Sequence, residues 1–184
     1  HTGDRFIKTP ITDFCYLLIP TFHGLLAFTN DKISLLSNEQ CTTIYNGKIL
    51  DQSWNEKSHE LYISEPDKIK ILTLTGNKIG DTTYLLPSIN PLKIKSFDSE
   101  LWITNGESLY MYKTVYSPDK KPVKIDTPQS NEINELFTWQ NKLHILTADK
   151  IYSFSDGQLN YEKSLSNDFC NGEFMNLMDD NEGN

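Results

Sequence analysis

Four acidic residues, Asp31, Asp67, Glu107 and Asp149, occupy one kind of position in this sequence, the end of a short polar segment between two apolar runs. Those segments read Thr29-Asn30-Asp31, Glu65-Pro66-Asp67, Asn105-Gly106-Glu107 and Thr147-Ala148-Asp149. Gathered on one face of a fold, four carboxylates would form a ring able to hold a cation or to dock a basic peptide. The plainer reading is local, because Asp, Asn and Gly populate tight turns for backbone reasons alone.

Other chemistry is sparse. His23 and His59 each stand two residues before a recurring leucine, and a pair at equivalent sites would be able to ligate a metal. Ser99 and Asn141 take that position in the next two copies, which reads as an ordinary polar turn, so no metal site is expected. There is no His-Glu-x-x-His, G-x-S-x-G, phosphate-binding loop or G-x-G-x-x-G pattern. Gly76-Asn-Lys-Ile-Gly80 lies between strand patterns and lacks the context of a phosphate cradle. No catalytic residue and no cofactor is expected.

The elements that carry these residues repeat. Gly24-Leu-Leu-Ala-Phe28, Glu60-Leu-Tyr-Ile-Ser64, Glu100-Leu-Trp-Ile-Thr104 and Lys142-Leu-His-Ile-Leu146 align without gaps, with leucines spaced by 36, 40 and 42 residues. After each polar segment follows a second alternating run, 32–36, 68–72, 108–112 and 150–154. Period-two alternation on both sides of a polar turn predicts a β-hairpin with a buried face. An upstream strand ends in Trp54, Phe97 or Trp139, aromatics expected to pack between repeats. A weaker strand follows over 82–86, 123–126 and 159–163. The unit is strand, hairpin, strand, about forty residues long, and it is expected to be all-β.

These units resemble blades of the divergent β-propeller superfamily, which includes the WD-repeat proteins. No copy has the Trp-Asp dipeptide: the corresponding strand ends read Leu35-Leu36, Ile71-Leu72, Met111-Tyr112 and Ser153-Phe154. The Gly-His opening is absent too. The resemblance implies about four blades of four antiparallel strands over residues 1–167, as a propeller or an open part of one. Asp13-Phe14-Cys15 returns as Asp168-Phe169-Cys170, so 168–184 reads as the start of a further strand with an acidic tail, and Arg5–Thr9 as the closing strand of a preceding blade. Four blades flanked by two stray strands favour an incomplete or open propeller over a closed ring, either a fragment of a larger ring or one completed by another chain. Phe169, Phe174 and Met175 in that tail, with the four turn acids, are the candidate partner-binding residues. The Pro-marked stretch 116–129 is expected to be an enlarged edge loop.

Composition narrows the class of partner. The net charge of −8 over 184 residues repels phosphate backbones and anionic lipid, which disfavours nucleic acid or membrane as the main ligand. His1-Thr2-Gly3-Asp4 does not read as a signal peptide. Three cysteines, Cys15, Cys41 and Cys170, cannot all pair within the chain, and sixteen Asn give no N-x-[ST] acceptor, which leans toward an intracellular, cytoplasmic or nuclear, setting. The expected role is a non-enzymatic scaffold that holds other protein subunits. Two alternatives stand beside it. One is a propeller enzyme or ligand-binding domain with an axial acidic site. The other is a secreted, closed, haemopexin-like domain, which requires Cys15 paired to Cys170.

Overall fold

The computed structural model describes residues 14–37, 40–75, 78–86, 89–112, 121–127 and 132–165. Among these, every regular element is a strand, and the strands form four antiparallel four-stranded sheets. The first sheet holds β1 (Leu17–Thr21), β2 (Gly24–Phe28), β3 (Lys32–Ser37) and β4 (Gln40–Asn46). The second holds β5 (Asp51–Asn55), β6 (Glu60–Glu65), β7 (Lys68–Thr75) and β8 (Lys78–Leu85). The third holds β9 (Lys93–Phe97), β10 (Glu100–Thr104), β11 (Leu109–Tyr112) and β12 (Val123–Ile125). The fourth holds β13 (Ile133–Trp139), β14 (Lys142–Thr147), β15 (Lys150–Ser155) and β16 (Gln158–Ser164).

In each sheet the strands lie in sequence order, so each is a simple meander. A single meander of this size leaves two apolar faces, and stacking sheets removes both from water. The register shows how. Leu26 and Phe28 on β2 pack against Leu61, Ile63, Leu72 and Leu74 of the second sheet. Tyr62, Ile69 and Ile71 pack against Ile94, Leu101 and Ile103 of the third. Trp102, Leu109 and Met111 pack against Leu136, Leu143 and Ile145 of the fourth. The recurring leucine therefore faces the preceding sheet, and the residue after it faces the next. Among the described residues, the core clusters join sheets one to two, two to three and three to four, and none joins four to one.

A shared main-chain latch closes the sheets. The carbonyls of Asp31, Asp67 and Asp149, in the central hairpin turns, accept from the amides of Gly47, Leu86 and Leu165 just after the fourth strand. In the third sheet the Gly106 carbonyl instead accepts from Ile133, the first residue of the next sheet. Each latch ties a turn to the end of a strand, satisfying groups that would otherwise be orphaned at a sheet corner.

One sequence expectation changes. Trp54, Phe97 and Trp139 do not share one position, because Trp54 pairs with Leu61 whereas Phe97 pairs with Glu100 and Trp139 with Lys142. The extra residues Glu56–His59 shift Trp54 by one place, so it packs toward the first sheet while Phe97 packs toward the fourth. Within the stretch 116–129, the weaker strand expected over 123–126 is present as β12, paired to β11 through Leu109 and Ile125. Arg5–Thr9 and the recurrence at Asp168 lie outside the described residues.

Candidate functional site

The four turn acids sit at the exposed tips of the β2–β3, β6–β7, β10–β11 and β14–β15 hairpins. The carboxylates of Asp31 and Asp149 take part in turn geometry. Thr29 Oγ1 donates to Asp31 Oδ1 at 3.2 Å and accepts from the Lys32 amide at 3.1 Å, and Thr147 repeats the pattern with Asp149 (3.4 Å) and the Lys150 amide (3.1 Å). Lys150 and Lys68 lie 3.6 and 3.1 Å from Asp149 and Glu65. In the third sheet Asn105 Oδ1 accepts from the amides of Glu107 and Ser108. Phe169, Phe174 and Met175 lie outside the described residues.

A second acidic arrangement lies where the first strands of successive sheets meet. Leu17, Asp51, Lys93 and Glu135 occupy equivalent positions, opposite Phe28, Ser64, Thr104 and Leu146. Asp51 Oδ2 accepts from the Ile94 amide at 2.7 Å, and Lys93 Nζ reaches Glu135 Oε2 at 2.9 Å. Ser53 and Ser96 hydroxyls bond at 3.0 Å, and Tyr16 donates to Gln52 across the first seam. The inner edge is thus a polar ladder, with one cation between two carboxylates. Sequence reasoning missed it, although Asp51, Lys93 and Glu135 stand 42 residues apart at each step, the repeat spacing itself.

Burial pushes the Asp51 carboxyl up to about 6, against the lowering pull of the Ile94 amide and of Lys93, with Glu135 adding to the rise. The folded state therefore prefers the neutral acid. Its stabilisation is complete below the unfolded value and is lost as pH rises through about 6. Between pH 7 and pH 5 the stability of the parent should rise by about 1 kcal/mol relative to Asp51→Asn, which lacks the titration. Urea unfolding of both proteins at the two pH values measures the difference, and parallel curves would contradict it.

The third feature is the face of the first sheet turned away from the second. Leu18, Pro20, Leu25, Ala27, Ser34 and Leu36 share it by register, since Leu17, Ile19, Leu26 and Phe28 point to the second sheet. Leu18 is 54% exposed, and Leu25 and Leu36 are half-buried around the small, buried Ala27 and Ser34. On the corresponding faces of the other sheets, Leu61, Ile63, Leu101, Ile103, Leu143 and Ile145 are at most 3% exposed. Phe14 and Phe22, at either end of β1, are 86% and 84% exposed.

Four stacked meanders, joined by their inner strands and by apolar faces, define a β-propeller arc. No family model matches the chain, and no curated protein matches it significantly. Solved structures do. It is similar to the β-propeller domain of Myceliophteria thermophila Cps50 (Swd1), with a TM-score of 0.64 and 10% identity over 88% of this chain and 59% of that one. It is similar to the WD40 β-propeller domain of Doa1, with a TM-score of 0.56 and 12% identity over 84% and 54% of the two chains. The Neurospora crassa Pan2 WD40 domain matches with a TM-score of 0.57 and 9% identity over 82% and 51%. The chain is a divergent WD40-like propeller in fold, and it spans little more than half the length of each of these structures.

Cys15 and Cys41 are free thiols, and Cys15 donates to the Leu17 carbonyl. Cys170, which a haemopexin-like closure would pair with Cys15, lies outside the described residues. Among the described residues no helix is long and apolar enough to cross a membrane.

Proposed function

We propose that this chain is a non-enzymatic interaction module, a propeller arc that holds partner polypeptides in a larger assembly. One observation carries the reading: the outer face of the first sheet exposes Leu18, while the equivalent faces of the other three sheets are sealed by a neighbouring blade. Burying such a surface is the main favourable term in association, and a further blade is the shape that fits it. The ring is completed by a further sheet stacked on this face. The net charge of −8 speaks against nucleic acid and anionic membrane as the partner. Free Cys15 and Cys41 and the lack of glycosylation acceptors support an intracellular setting.

The test is retention of bound polypeptides by the parent and by Leu18→Glu, isolated under the same conditions from the source cells. Leu18 is exposed, so the substitution leaves the core intact, and a charge on a desolvated anchor position should weaken binding at least tenfold. Equal retention by both proteins would refute an interface on this face.

A further inference from the structure

His23 and His59 come together across the seam between the first and second sheets. His23 sits in the two-residue turn between β1 and β2, and His59 ends the longer turn between β5 and β6. Their ring centroids are 5.3 Å apart, with the rings nearly perpendicular at 76°. Phe22 and Trp54 flank them, at 5.9 Å from His23 and 6.4 Å from His59 respectively.

Each ring leaves one nitrogen shielded from solvent and without a hydrogen-bond partner, Nε2 of His23 and Nδ1 of His59. The Ser58 hydroxyl, next in the chain, is a third buried atom without one. Buried polar atoms in native proteins are nearly always satisfied, so three orphans in one turn pair call for a missing partner. Two imidazoles on one tetrahedral metal, at about 2.0 Å per bond, place their centroids about 5.2 Å apart, close to the observed separation. Imidazole nitrogen suits zinc, copper and nickel, whereas magnesium and calcium take oxygen donors.

We infer that His23 and His59 form a two-histidine site for a divalent transition metal that ties the first blade to the second. Among the described residues no group of three or more His, Cys, Asp and Glu gathers, so water completes the coordination. Such a site is exchangeable rather than permanent, because two ligands give modest affinity. The polar residues Ser99 and Asn141 at the equivalent positions mean that the other seams lack it. The role suits the first blade, whose other face is the exposed one: metal at this seam fixes the blade that presents the interface.

The test is calorimetric titration of the 184-residue chain with zinc chloride at pH 7.5. Every protein carries His1→Ala, which removes the N-terminal histidine as a competing ligand. The expected result is one zinc per chain, with affinity at least tenfold lower in His23→Gln and in His59→Gln. Zinc should also raise the melting temperature of the histidine-intact protein. That rise should vanish on adding chelator. Calcium should produce neither effect. Absence of zinc binding, or binding undiminished in both glutamine variants, would overturn the site, and the calcium and chelator arms decide it even where a variant folds poorly.

Discussion

Replacing Trp102 by Ala should destabilise the protein by about 4 kcal/mol, the cost of emptying a large, fully buried aromatic site. Trp102 is wholly buried at the seam between the third and fourth blades, with its ring edge-to-face against Phe154 at 4.5 Å. Its neighbours Leu109, Met111, Leu143 and Ile145 belong to two different sheets and cannot collapse together without unstacking them. The indole nitrogen of Trp102 is itself buried without a partner. Trp102→Phe therefore keeps the ring contact and removes an unsatisfied donor, and should cost under about 1.5 kcal/mol. Urea midpoints of the two variants separate the effects. Equal losses would mean that the indole nitrogen is satisfied and that the seam is not packed as described.

Gly24→Ala should cost about 3 kcal/mol, through backbone rather than packing. Gly24 opens β2 at φ +136°, a conformation that side-chain-bearing residues rarely adopt. A Cβ there would lie 2.3 Å from the Leu36 carbonyl oxygen on β3, which is main chain and held in the β2–β3 ladder. Relief requires moving a strand of the first sheet, and strain of this kind costs about 1–3 kcal/mol before the clash is counted. Thermal unfolding should show a fall of roughly 10 °C for a chain of this size. A change under 2 °C would show that the β1–β2 turn can relax, and with it that the first blade is held less firmly than its hydrogen bonds imply.

The blades were legible because alternation and turn chemistry agree in each copy. The runs starting at Lys32, Lys68 and Lys150 begin where β3, β7 and β15 begin, and the third starts one residue later, at Leu109. Alternation of side-chain direction along a strand also explains why the recurring leucine turns to the preceding sheet and its successor to the next. What alternation does not carry is the length of the connection before the hairpin. Glu56–His59 lengthens one turn, and that alone moved Trp54 to the opposite face from Phe97.

The site was less legible. The turn acids announced themselves by position, yet in the structure they serve, at least in two turns, the hydroxyls of Thr29 and Thr147. The inner ladder of Asp51, Lys93 and Glu135 was hidden because its members differ in charge and recur only once per blade. The pairing of His23 with His59 was visible as a shared position, but two copies with Ser99 and Asn141 made it look like turn chemistry. Only the seam geometry shows the unpartnered nitrogens.

The central claim is that the first blade's outer face is an interface, and solution mass by size-exclusion chromatography with light scattering tests it most directly. The account predicts that the purified chain associates, giving a mass above 21.2 kDa at micromolar concentration, and that Leu18→Glu returns it to 21.2 kDa. A parent that runs as a monodisperse 21.2 kDa monomer, unchanged by Leu18→Glu, would mean that the four blades satisfy themselves and that this face is not an interface.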